Sequence, residues 1–151
     1  MEPLIPHVAE ITLSYKNTVE PSARHRIISP SEAYTLVLSG WDMNRIELIE
    51  QFKVIFLNGS NQVLACYEVS SGGRTGTVAD PRLIFAAALQ VGAIGIILVH
   101  NHPSGNLQPS TSDCLLTEKL VAAGKVLDIA VRDHLIVTPA GFFSFSDEGI
   151  L

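Results

Sequence analysis

Cysteine is scarce in this chain, with two residues, Cys66 and Cys114, among 151. They form no C-x-x-C pair, so neither a disulfide framework nor a cysteine-based zinc module is encoded, and a reduced, cytoplasmic setting is the expectation. Basic residues are also short, 10 Lys and Arg against 15 Asp and Glu, for a net charge of −5. Nucleic-acid binding relies on Lys and Arg to neutralise phosphates, so this balance argues against a nucleic-acid partner and leaves open a local patch of Arg24, Arg26 and Arg45. No apolar run approaches the roughly 20 residues that span a bilayer. The start, MEPLIPHVAEITLSYK, lacks the basic and then apolar regions of a signal peptide, and no membrane association is expected. Internal repeats and low-complexity tracts are missing as well. The glycine-rich SSGGRTGT from Ser70 has no G-x-x-x-x-G-K-[ST] pattern, which excludes a phosphate loop and suggests a flexible loop on the substrate side.

What is present is a 47% hydrophobic composition, enough for one well-packed domain. Glu10 to Lys16 alternates like a strand, and a loop follows to Arg26. Ser29-Pro30 reads as the capped start of a helix ending near Gly40. Phe52 to Leu57 and Val63 to Val69 read as strands joined by an Asn58-Gly59 turn. Asp80-Pro81 caps a helix from Arg82 to about Val91, which Gly92 ends. The apolar run Ile94 to Val99 reads as a strand covered on both faces. A helix from Thr111 to about Ala123, stopped by Gly124, and strands near Leu127 to Val131 and Leu135 to Thr138 complete the pattern. Strands interleaved with helices give an α/β fold, a single domain with a mixed β-sheet and helices packed on it. Residues 1–28 form an N-terminal strand and loop of the same unit, and 29–151 the main body.

The segment HNHPSGNLQPSTSD, from His100 to Asp113, carries the chemistry. Side chains two apart on a strand share a face, with Cα atoms roughly 6.5–7 Å apart, so two imidazoles can converge on one metal. An aspartate returning from the next element adds a third ligand and leaves a fourth position open, the pattern of a catalytic zinc site. Ser110-Thr111-Ser112-Asp113 also fits a helix capping box, a purely structural role for both Ser110 and Asp113. The two roles are compatible for Asp113, because its backbone can cap while its carboxylate turns to the metal. Glu68, ending a strand just before the glycine-rich loop, is the best general-base candidate, ahead of Glu10 and Glu50. Its bland reading is a solvated strand-end carboxylate. Ser104 as a nucleophile is disfavoured, because its histidine partners would be occupied by metal. His134 reads as structural, with orientation of a metal ligand as its alternative. Trp41 reads as core or interface.

The same residues resemble a known family. His100-x-His102, seven residues, Ser110, two residues and Asp113 is similar to the H-x-H-x7-S-x2-D core of JAMM (MPN-type, JAB-domain) metallohydrolases. Pro103-Ser104-Gly105 resembles the RadC-like branch, and so do FKVIFLN, EVSSGG, VADPRLIFAAAL, DHLIV and FFSFSDEG. The resemblance covers the chain from about residue 10 onward. It implies a cytidine-deaminase-like α/β fold and one Zn2+ per chain held by His100, His102 and Asp113. It also implies Glu68 as the upstream base, Ser110 beside the tetrahedral intermediate, and a peptide or protein substrate. Longer RadC-like proteins carry a helix-hairpin-helix region not found in this sequence, so a DNA-binding role tied to it is not expected. Two histidines and a carboxylate also suit a non-haem iron oxygenase. A zinc deaminase is excluded by the missing P-C-x-x-C signature. A metal-free scaffold and a DNA-repair accessory are the non-enzymatic readings.

Overall fold

The apolar run ending at His100 becomes the middle of a five-stranded sheet in the computed structural model, which describes residues 4–151. Strands β1 (Gln51–Leu57), β2 (Val63–Ser71), β3 (Gly95–Asn101), β4 (Ala130–Thr138) and β5 (Gly141–Ser144) lie in the order β2-β1-β3-β4-β5. β3 is parallel to β4, and every other neighbouring pair is antiparallel, so the sheet is mixed as expected. All of β3 is buried, which an unbroken apolar strand requires when both faces are covered.

The covers are three helices, α1 (Pro30–Ser39), α2 (Pro81–Gln90) and α3 (Thr111–Leu127). Each begins where its cap residue stands. Ser29 and Asp80 accept from the backbone N–H groups of Glu32 and Arg82, and Ser110 closes a full capping box with Asp113. α2 and α3 seal one face, where Phe85 and Leu120 pack over Phe56 and Leu98. α1 and the turn after it seal the other, where Val37, Trp41 and Ile46 meet Ile55, Val99 and Leu135. Trp41 is therefore core, with the Lys53 ammonium 4.0 Å above its ring.

Four elements differ from their sequence reading. The strand expected over Glu10–Lys16 is an extended segment without ladder partners, and Ile11 and Leu13 are exposed. Its end reaches the outer edge of β2 only through side chains, with Tyr15 and Asn17 donating to the Leu64 carbonyl, so backbone pairing is not formed there. Residues 1–3 of that N-terminal segment lie outside the described residues. α3 passes through Gly124, where a Cβ would run into the Ile129 carbonyl, and stops at Asp128 in the left-handed region at φ 56°. Gly124 thus permits a close approach and does not end the helix. The two strands expected near Leu127–Val131 and Leu135–Thr138 are the single strand β4. The polar Asp133-His134 pair that lies between them is buried within that strand. Asp133 accepts from the Ser144 hydroxyl at 2.6 Å and the Ser146 N–H at 3.0 Å. Finally, Glu68 as a base for the histidine pair needs β2 close to β3, but β1 lies between them.

Candidate metal centre

β3 delivers His100, and His102 follows just beyond its end, so the period-two rule puts both rings on one face, 4.9 Å apart between centroids. The first turn of α3 delivers Asp113. His100 Nε2 and His102 Nε2 are 3.0 Å apart, and each is 3.3 Å from one oxygen of Asp113. Tetrahedral ligands at 2.0–2.1 Å from a zinc ion stand about 3.3 Å from one another, so the donor set fits such a metal. One ligand atom from each residue lies within 4.8 Å of the others. Capping and convergence coexist, because the Ser110 N–H donates to Asp113 Oδ2 at 2.8 Å while the carboxylate still faces both rings.

Backbone carbonyls, which can only accept, decide the tautomers. His102 Nδ1 lies 2.6 Å from the Asn106 carbonyl, so Nδ1 carries a proton and the neutral ring has a bare Nε2. On the inner side, the Thr117 hydroxyl donates to the Asp113 carbonyl at 2.7 Å. Its oxygen must then accept from His134 Nδ1, 2.6 Å away. His134 is fully buried, which drives its pKa well below the ordinary value and keeps the ring neutral. Its bare Nε2 accepts from His100 Nδ1 at 2.8 Å, and this leaves Nε2 of a neutral His100 bare as well. His134 is therefore packed in the core and also bonded to the His100 ring, which it holds in place. Two bare nitrogens facing each other beside a carboxylate are unsatisfied unless a cation lies among them.

Electrostatics agree. Burial alone would raise the Asp113 carboxyl, yet its bonds to His100 and His102 outweigh that and hold it far below the usual range. The bond to Asp113 raises His102, against a smaller lowering by burial. Without a metal, a proton is drawn to the gap that the metal would fill.

Glu68 is not brought to this site. β1 separates β2 from β3, and Glu68 pairs with Lys53, whose partner on β3 is Val99, one residue out of phase with His100. Paired residues share a face, so Glu68 points to the α1 side, where it is exposed and accepts from Gln51 Nε2. The carboxylate at the site is Glu50. Phe52 pairs with His100, and two further residues along each chain set Glu50 opposite His102. Glu50 is buried and shares a cleft of about 610 Å³ with His102, Asp113 and Ser110. Burial raises its pKa and Asp113 adds to the rise, against the pull of His100 and His102. The glycine-rich loop that favoured Glu68 reaches Glu50 through space, with Glu50 N–H bonded to the Gly73 carbonyl at 2.9 Å and Gly72 N–H to the Glu50 carbonyl at 2.8 Å.

Asn101, between the two histidines, was missed. Its side chain takes the opposite face, is fully buried, and is completely engaged. Nδ2 donates to the Ile46 and Ile49 carbonyls at 2.7 and 2.8 Å, and Oδ1 accepts from Gln51 N–H at 2.7 Å. It thereby fastens the segment bearing Glu50 to the strand bearing the ligands. An asparagine inside a strand otherwise apolar up to His100 was the available signal. Ser110 uses an oxygen lone pair to accept from Asp113 N–H at 3.0 Å, so capping leaves its hydroxyl proton free for the cleft. Ser104 accepts from Asn106 N–H at 3.2 Å and has no histidine partner.

Comparison with known proteins adds the lineage. Residues 27–150 match the RadC-like JAB domain. A UPF0758 protein of Flavobacterium johnsoniae is 50% identical over 101 residues, 67% of this chain and 44% of that protein. One from Methanosarcina mazei is 37% identical over 144 residues, 95% of this chain and 61% of that protein. UPF0758 protein YeeS of Escherichia coli is 43% identical over 102 residues, 68% of this chain and 69% of that protein. The chain thus spans about half the length of the first two relatives. Among the described residues, no helix is long and apolar enough to cross a membrane. The histidine pair on the central strand, the aspartate on the following helix and this match together make the chain a member of the RadC-like JAB-domain family.

Proposed function

We propose that this chain is a zinc-dependent hydrolase of peptide or isopeptide amide bonds, with one metal per chain. Zinc held by His100, His102 and Asp113 would supply Lewis acidity, which lowers the pKa of a water to about 7. The observation that carries this reading is the pair of bare imidazole nitrogens, tautomers set by carbonyls, facing the Asp113 carboxylate at 3.3 Å. Two imidazoles and a carboxylate also suit iron, but a raised carboxyl and a free hydroxyl beside them are what hydrolysis needs.

Glu50 takes the proton of the attacking water and returns it to the leaving nitrogen. A carboxyl raised by burial serves both steps better than one at its ordinary value. The free Ser110 hydroxyl proton donates to the substrate carbonyl oxygen as charge grows there. His134 and Thr117 hold the His100 ring, and Asn101 holds Glu50 across from it. The free thiols of Cys66 and Cys114 fit a reducing cytoplasm.

The test begins with metal analysis of the purified protein, which should give about one zinc per chain, lost when His100 and His102 are both replaced by alanine. Stoichiometric zinc in that double variant would remove the assigned centre. A screen of peptide and isopeptide substrates follows. Glu50→Gln should keep the metal and lose roughly 10²–10⁴-fold in rate, whereas Glu68→Gln should stay near wild type. Full activity in Glu50→Gln rules out this mechanism.

A further inference from the structure

One cationic side chain lines the cleft, and nothing in the fold engages it. Arg74 has neither an ion pair nor a hydrogen bond among the described residues, whereas Arg82 is paired with Asp80 and Lys53 is stacked on Trp41. An exposed arginine on a loose loop would carry no argument, but this loop is built. Asn101 fixes the Ile46–Gln51 segment to β3 by three bonds of 2.7–2.8 Å. Glu50 in that segment exchanges two backbone bonds with Gly72 and Gly73. Gly73 N–H then closes a turn onto the Gly76 carbonyl at 3.1 Å, with Arg74 and Thr75 at the tip. A Cβ on Gly72 would run into that same carbonyl, so the neck tolerates nothing larger than glycine. The strand that carries the candidate metal ligands therefore also fixes the backbone from which Arg74 projects, through an unbroken series of hydrogen bonds.

The charges of the cleft leave Arg74 unmatched. Its lining carries two carboxylates, Glu50 and Asp113, and one guanidinium. A divalent cation offsets the two carboxylates when the histidines are neutral, and the guanidinium is left for the substrate. Guanidinium presents a rigid fork of donors that suits a carboxylate in bidentate geometry.

We propose that Arg74 is a specificity-determining residue that selects amide substrates bearing a carboxylate near the scissile bond. This rests on the metal-centre reading above and deepens it to a substrate class. Two sources share the chemistry, an acidic side chain on the acyl side or a free C-terminus on the leaving side.

Hydroxamates bind zinc directly and report on the site without turnover. Four are titrated by calorimetry into the zinc-loaded full chain. N-acetylglutamate α-hydroxamate and its neutral glutamine counterpart probe the acyl side. The monohydroxamate of malonylglycine and its neutral glycinamide counterpart probe the leaving side. One acidic probe should bind about tenfold more tightly than its neutral counterpart, a difference of roughly 1.4 kcal/mol, and the pair that shows it identifies the source. The preference should shrink as salt is raised, disappear in Arg74→Ala, persist in part in Arg74→Lys and reverse in Arg74→Glu. Equal affinities within both pairs for the wild type, or a preference that survives Arg74→Ala, overturn the proposal while the neutral probes still report an intact centre. Failure of all four probes to bind overturns the metal reading itself, and this inference with it.

Discussion

The two histidines of the candidate centre face the same gap from opposite surroundings. His100 is fully buried, and its far nitrogen is held by a relay of side chains, His134 and Thr117, that ends on the backbone of Asp113. His102 sits at the cleft, and its far nitrogen is held directly by the Asn106 carbonyl in the loop. The inner ligand is thus fixed by the core and the outer one by a turn. A side-chain relay can be cut by mutation at several places, whereas a backbone acceptor survives almost any replacement of its own side chain.

That contrast can be broken most forcefully at the ligands themselves. His100→Ala and His102→Ala should each abolish stoichiometric zinc, but their effects on the metal-free fold should diverge. His100→Ala leaves a cavity under Phe52 and an unpaired His134, and should cost about 2–4 kcal/mol in denaturant melts run with chelator. His102→Ala should cost less than about 1 kcal/mol. Equal costs would show that the core does not hold the inner ligand. Asn101→Ala strands three buried backbone groups and should cost about 1–3 kcal/mol while leaving zinc stoichiometry at one, because its side chain faces away from the metal. Loss of zinc in that variant would mean that it supports the ligands and not Glu50.

Thr117→Val sharpens the comparison without touching a ligand. It removes the hydroxyl that fixes the His134 tautomer, and competition with a fluorescent chelator should report roughly 10–100-fold weaker zinc binding. Asn106→Ala keeps the carbonyl that holds His102 and should change zinc affinity by less than about twofold. If the two variants matched, the relay would not be orienting His100.

The smallest effect is one of pH. The bond to Asp113 raises the His102 pKa above that of an ordinary histidine, so proton and metal compete for its Nε2, and zinc affinity should fall by up to about tenfold per unit as pH drops through the raised value. His134 is shifted the other way. Its folded pKa lies below its unfolded one, so the neutral ring contributes stability that is present above 6.5 and lost as pH falls from there toward the folded value. Chelated protein should therefore lose stability on acidification below about 6.5. A Thr117→Val or His134→Phe background should change that slope. An unchanged slope in His134→Phe would assign it to other groups.

Much of this was legible because it is local. Apolar continuity placed β3, caps placed three helix starts, and two-residue spacing placed His100 and His102 on one face. What could not be read depends on neighbours in space. Glu68 looked like the base because it ends a strand beside glycines, but strand order put β1 between it and the histidines, and pairing phase turned it to the far face. The same glycines instead bond through the backbone to Glu50, the carboxylate that lines the cleft. β4 was read as two strands, and the partners that bury Asp133 and His134 inside it lie elsewhere in the chain. Glu10–Lys16 had the alternation of a strand, yet its end meets the edge strand β2 through side chains and not through the backbone.

Asn101 also sets a rule for how this stretch can change in descent. His100, Asn101 and His102 use both sides of one strand end, the outer two for metal and the middle one for the carboxylate segment. Inserting or deleting a single residue between Val99 and Pro103 inverts that arrangement, presenting an amide to the metal and an imidazole to the Ile46–Gln51 segment. A shift by two restores the sides but breaks the register with Phe52 and Gln51. Length variation among descendants of this chain should therefore collect in turns away from the cleft, such as Asn58–Gln62. The three-residue strand end should pass unchanged in length, since any slip there costs the centre and its carboxylate together.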